Sequence, residues 1–289
     1  MCGTRNFRKE YDAFLQQFPY QTAVVDGIKV RYQYGGKKDA PVLLFFNGLE
    51  MQEMWMPYAE KLREGYRFLI YEYPRHTANP EEQIDFAANL LKKLSIEKVV
   101  LIGASDGGVY AQIFAKRHSE LVQAMILTTT LTVDSDYVRD IQKERFSTPL
   151  LVLLLKLVPA KAERNLLLKK SEGFLKCESE ADQSYGRGFY ETVASDLSYK
   201  KRFIHSFRCV YMLKDYPPFQ ANDFEYLQGR VLILLPENDI FKKEDQDRFA
   251  QLFRKLDAEI RMVPGGHVGF IVQAERYLDL METFLQKIF

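Results

Sequence analysis

The stretch Leu101-Ile102-Gly103-Ala104-Ser105-Asp106-Gly107-Gly108 continues a hydrophobic run that begins at Val99 and leads into a helical segment expected to start near Gly107. In order, it is a strand, a Gly-x-Ser-x-Gly turn and a helix. That context says more than the five-residue pattern alone. A serine hydroxyl is a weak nucleophile, and a sharp strand-to-helix turn lifts it clear of a sheet to where a base can reach it. Gly103 and Gly107 flank the turn, where side chains would collide as the backbone doubles back. The blander alternative is a glycine-rich turn with an incidental serine, and the flanking strand and helix argue against it.

Two later apolar runs end in residues that could serve such a serine. Val231-Leu232-Ile233-Leu234-Leu235 leads to Pro236-Glu237-Asn238-Asp239, and Ile260-Arg261-Met262-Val263 leads to Pro264-Gly265-Gly266-His267. Asp239 and His267 should lie just past strands, at the carboxyl edge where an open α/β sheet places its ligands. Of the four histidines, His76, His118, His205 and His267, only His267 combines a strand end with a glycine-rich turn. His118, after Ala115-Lys116-Arg117, reads as a solvated helix end with favourable terminal charges.

On Asn47-Gly48, the Gly103 to Gly108 stretch, Asp239 and Gly266-His267, all in the appropriate order, the chain resembles the α/β-hydrolase superfamily over nearly its full length. The resemblance implies Ser105 as nucleophile, His267 as general base and then acid, and Asp239 as the carboxylate that orients the imidazole. It also implies an oxyanion hole built from the backbone N–H groups of Asp106 and Leu49, with no cofactor and no metal. Asn47 stands where the family commonly has histidine. The Asp106 side chain is expected to cap its own helix rather than to touch substrate. Some members carry the acid one strand earlier, which makes Asp134 and Asp136 competitors. Asp239 is preferred because it ends a strongly apolar strand, whereas an N-cap role suffices for Asp134.

Composition agrees with an ordinary globular chain. At 289 residues with 47% hydrophobic and 27% charged residues, it can bury a sizeable core. Forty basic against thirty-nine acidic residues leave a net charge of +1, which argues against a nucleic-acid partner or a charged membrane surface. Cys2, Cys177 and Cys209 show neither metal-site spacing nor a disulfide framework. Met1 to Glu10 lacks the apolar core of a signal peptide, and the greasy stretch Pro149 to Pro159 is too short to span a bilayer. The expectation is a cytoplasmic protein without stable membrane insertion, acting on a small molecule; oligomeric state stays open.

Strands are expected at 22–25, 28–34 (joined by an Asp26-Gly27 hairpin turn), 42–46, 67–73, 99–102 and 124–128, then before Asp239 and before His267. Helical stripes appear at Ile84, Ala88, Leu91 and Ser95, at Phe249, Leu252, Phe253 and Leu256, and at Tyr277, Leu280, Met281 and Phe284. This alternation means a mostly parallel eight-stranded sheet flanked by helices, the α/β-hydrolase fold. It breaks between 134 and 223, where the family inserts a helical cap after the sixth strand; residues 1–133 and 224–289 then form the core. Leu150 to Leu157 reads as a docked cap helix. The aromatics Tyr185, Phe189, Tyr190, Tyr199, Phe203, Phe207, Tyr211, Tyr216 and Phe219 either pack the cap or roof a pocket above Ser105.

The functional expectation is a serine-dependent hydrolase of a small, largely uncharged carboxylic ester, working through an acyl-enzyme; amides or thioesters fit less well. One departure sustains another class. After the fourth strand the chain reads Tyr71-Glu72-Tyr73-Pro74-Arg75-His76-Thr77 and enters a helix almost at once. This short connection is similar to maspardin-like members of the family, which are better regarded as binding or scaffold proteins. Glu72, Arg75 and His76 would then sit in a solvated loop or at a pocket mouth. A scaffold has no need of serine, histidine and aspartate together, which favours chemistry. A C–C bond hydrolase or lyase on the same three residues is the third possibility.

Overall fold

The computed structural model describes residues 5–289. Cys2 and the first residues of the segment read for a targeting signal lie outside them. The chain opens with helix α1 (Phe7–Gln17) and the strands β1 (Gln21–Val25), β2 (Ile28–Gly36) and β3 (Val42–Phe46). Then come α2 (Met56–Leu62), β4 (Arg67–Tyr71), α3 (Pro80–Lys93), β5 (Val99–Ala104), α4 (Asp106–Arg117) and β6 (Val122–Thr128). Five helices follow: α5 (Ser135–Lys143), α6 (Ser147–Leu157), α7 (Ala160–Leu175), α8 (Glu180–Ser195) and α9 (Tyr199–Met212). The chain closes with β7 (Val231–Asn238), α10 (Lys243–Arg254), β8 (Glu259–Gly266), α11 (Gly269–Val272) and α12 (Ala274–Ile288).

The eight strands form one sheet in the order β1-β2-β4-β3-β5-β6-β7-β8. The β1–β2 and β2–β4 pairs are antiparallel and the rest parallel. The Asp26-Gly27 turn has φ of 51° and 78°, the two positive values that a tight hairpin needs and that Asp-Gly supplies at low cost. Strands β3 and β5 are buried along their whole length, as continuous apolar runs covered on both faces must be. Their alternate residues feed two cores. Leu44 and Phe46 join α3, α4 and α10 residues such as Ile84, Ile113 and Phe249. Leu43 and Phe45 join Phe7, Phe14, Tyr58, Met281 and Phe284 from α1, α2 and α12.

Several local expectations shift. Ser95 lies beyond the end of α3, at φ 55°, and does not extend its apolar stripe. The α6 run is not docked all round: Val152 and Leu155 are buried, while Leu150, Leu151, Leu153, Leu154 and Leu157 are 42–74% exposed. Leucine composition cannot reveal that only one edge of the helix meets a neighbour. Tyr185, Phe189, Tyr190 and Tyr199 pack into the core on the α1 side of the sheet, and Tyr216 and Phe219 into the other. No helix among the described residues is long and apolar enough to cross a membrane.

Candidate active site

Ser105 sits between β5 and α4 at φ 55° and ψ −131°, a backbone conformation that costs a non-glycine residue of order 1–3 kcal/mol. Its neighbours hold it there. The Ser105 N–H donates to the Thr128 carbonyl (3.3 Å), and its own carbonyl accepts from the Thr130 hydroxyl (2.6 Å) and the Gly108 N–H (3.0 Å). Gly107 is needed for approach rather than for φ: a Cβ there would stand 2.3 Å from the Phe46 carbonyl oxygen.

His267 follows β8 through Gly265, which takes φ +105°. Glu178, between α7 and α8, is buried and accepts the Gly266 N–H at 2.7 Å, with the Gln273 amide on its other oxygen. This turn brings His267 Nε2 to 3.3 Å from Ser105 Oγ and Nδ1 to 2.7 Å from Asp239 Oδ1. Nδ1 therefore donates to the carboxylate, leaving Nε2 unprotonated to accept from the serine. The 3.3 Å separation is long for such a bond, as is common before substrate binds. The Asp239 side chain is 1% exposed and the His267 ring 12%. Phe241 meets the His267 ring edge-on at 5.2 Å, and Phe174 lies 6.3 Å from it. Asp134 caps α5 by accepting the Tyr137 N–H and pairs with Arg248 at 2.8 Å, engagements that leave the histidine to Asp239.

The loop after β3 approaches the elbow closely, since a Cβ on Gly48 would lie 3.0 Å from Ser105 Cβ. Asn47 is fully buried; its amide donates to the Tyr71 carbonyl and its N–H to the Tyr73 hydroxyl, so it ties the loop to the end of β4. Leu49 and Glu50 both have positive φ, 47° and 54°. Helix α9 braces this strained pair. Arg202 donates to the Glu50 carbonyl (3.0 Å) and to both oxygens of Glu53, and His205 Nδ1 meets Glu50 Oε1 at 2.5 Å.

The Asp106 side chain departs from expectation. Instead of only facing its own helix, it crosses to the loop: its Oδ1 accepts the Leu49 N–H at 2.8 Å, and its Oδ2 accepts the Ser206 hydroxyl from α9 at 3.1 Å. Burial pushes this carboxyl up to about 6, against the stabilising N–H of Leu49, the Ser206 hydroxyl and its own N–H. Leu49 and Asp106 are thus joined to each other at the elbow, and the Leu49 N–H expected as an oxyanion donor is already engaged. Glu72 pairs with Arg31 and Arg75 with Glu50, so both brace the loops near the site. His118 pairs with Asp85 at the end of α4.

Sequence reasoning missed Glu178, Thr130 and the α9 residues Arg202, His205 and Ser206. The last three carry a readable signal, polar residues at i, i+3 and i+4 inside an aromatic-rich helix. Cavities of about 510 and 260 Å³ lie elsewhere, and their linings include none of Ser105, Asp239 or His267.

Comparison with known proteins agrees with this architecture. Residues 41–274 match the family model for the alpha/beta hydrolase fold. The chain belongs to that family. Within it, the human serine hydrolase BPHL is 30% identical over 148 residues, 44% of this chain and 51% of BPHL. The chain thus spans about half the length of this curated relative. The solved esterase of Thermogutta terrifontis superposes with a TM-score of 0.68 at 17% identity, covering 93% of this chain and 98% of the esterase. The enol-lactonase of Burkholderia xenovorans gives 0.68 at 16% identity, covering 92% of this chain and all of the lactonase. At such identities these two likenesses speak for the fold alone.

Proposed function

We propose that this α/β-hydrolase family member is a serine-dependent hydrolase of a small, largely uncharged carboxylic ester. The observation that carries the reading is a strained Ser105 within reach of a histidine whose far nitrogen is held by a buried aspartate. In this mechanism Ser105 Oγ attacks the ester carbonyl as His267 Nε2 takes its proton. The collapsing tetrahedral intermediate expels the alcohol, which receives that proton from His267. A water, deprotonated by His267, then attacks the acyl-serine, and the acid leaves as Ser105 recovers its proton. Asp239 fixes the ring and stabilises the imidazolium. The Leu49 and Asp106 N–H groups are the proposed oxyanion donors, and the chemistry calls for no metal or cofactor.

Residues 134–223 act in this proposal as a cap, supported by Phe174 beside the His267 ring and Ser206 against Asp106. A cytoplasmic setting suits the two free thiols among the described residues, Cys177 and Cys209. A second reading, a ligand-binding or scaffold protein with little turnover, is favoured by one observation, the engaged Leu49 N–H. Turnover of a graded series of acyl esters separates the two. Hydrolysis of short uncharged esters that disappears in Ser105→Ala supports the enzyme; saturable ester binding without product supports the binder.

A further inference from the structure

We propose that Asp106 is a built-in occupant of the oxyanion site, and that turnover requires its carboxylate to leave the Leu49 N–H. The inference rests on the serine-hydrolase reading above. Oδ1 stands 2.8 Å from the Leu49 nitrogen, inside the 2.7–3.1 Å range at which an oxyanion donor meets the oxygen it stabilises. The second proposed donor, the N–H of Asp106 itself, belongs to the residue that carries this carboxylate. One carboxylate oxygen of like charge thus already takes the Leu49 hydrogen bond that the developing substrate oxygen would need. An ester carbonyl entering beside Ser105 competes with that oxygen for the same hydrogen bond. While the ionised carboxylate stays nearby, it also opposes the negative charge of the tetrahedral intermediate.

The occupant is held from outside the elbow. Ser206 on α9 donates to Oδ2, and the same helix face fixes the loop that carries Leu49, through Arg202 on the Glu50 carbonyl and His205 on the Glu50 carboxylate. These three residues share one face of α9, so plug and donor loop are both braced by a single helix. In this proposal the Asp106 carboxylate leaves the Leu49 N–H by swinging toward Ser206, which already holds its other oxygen, or by moving together with α9. Asp106 is thus a gating residue: it touches a donor of the oxyanion site and governs when that donor is free.

The test is the rate of covalent labelling by a small fluorophosphonate, which needs the activated serine and the oxyanion donors but no knowledge of the natural substrate. Asp106→Ala should label on the order of 10²-fold faster than the wild type, the worth of one freed oxyanion donor. Asp106→Asn, which keeps an acceptor but no charge, should gain less. Ser206→Ala, which only loosens the plug, should gain a few-fold, and it guards against a folding defect in the Asp106 variants. Ser105→Ala in each background should abolish labelling. Unchanged or slower labelling in folded Asp106→Ala and Ser206→Ala, still dependent on Ser105, overturns the gate and leaves the serine reading standing. Absence of labelling in every variant overturns both.

Discussion

A serine at φ 55° gains nothing for stability, and a buried aspartate with one oxygen on a histidine and the other without a partner is not a choice made for packing. Both make sense if the imidazole must be held in one tautomer. Asp239→Asn should therefore preserve the fold and lower fluorophosphonate labelling on the order of 10⁴-fold, the loss known for the corresponding change in a serine protease. Asp134→Asn, which keeps an N-cap acceptor and loses only the charge of a partly exposed pair with Arg248, should cost no more than about 1 kcal/mol of stability and leave labelling within a few-fold of wild type. A larger loss in Asp134→Asn than in Asp239→Asn would reverse the assignment of the acid. Asp106 offers a test by pH. Its folded value, about 6, lies above its ordinary one of 3.8, so the favourable contribution of its neutral form is full below about pH 4 and is lost as pH rises through 6. Asp106→Asn removes that loss. Its stability advantage over the wild type should grow from pH 4 to pH 7, to about 1–2 kcal/mol once partial exposure is discounted. A difference in denaturation midpoint that stays flat across this range would contradict the assignment. That Ser105, His267 and Asp239 come together was legible because each follows a strand with its own local signature. The engagement of Asp106 was not, because it depends on where a loop 57 residues away comes to rest.

Helix α9 is where local sequence says least and the structure most. Arg202 and Glu53 are 1% and 4% exposed and joined by two hydrogen bonds, an ion pair whose loss from one side leaves a buried charge without a partner. Arg202→Ala should destabilise by about 3–5 kcal/mol in chemical denaturation, whereas joint replacement of Arg202 and Glu53 by apolar residues of similar size should recover much of it. A single variant with near-normal stability would show that the pair does not brace the Leu49 loop. Hydrophobic periodicity found the helices that cover the sheet, α3, α10 and α12, because each buries one stripe. It left α1 unread although Phe7, Tyr11 and Phe14 repeat at helical spacing, since charged residues fill the turns between them. Leu150 to Leu157 read simply as a docked cap helix, because a run of leucines has no polar face to show which side is free.

The sheet brings these parts together. Loops after β3, β5, β7 and β8 emerge at one carboxyl edge, so residues from four distant stretches converge on Ser105 without any one of them needing to be near another in sequence. The succession of strands and helices along the chain was readable from alternating apolar runs and helical stripes. How α5 to α9 pack was not, because that depends on side-chain fit rather than on period. The central claim is that Ser105 is an activated nucleophile, and intact-protein mass spectrometry after exposure to a fluorophosphonate measures it most directly. The wild type should gain the mass of one phosphonyl group, on the peptide that contains Ser105, and Ser105→Ala should gain none. A folded wild type that stays unmodified, or a Ser105→Ala variant that labels equally well, would contradict the claim.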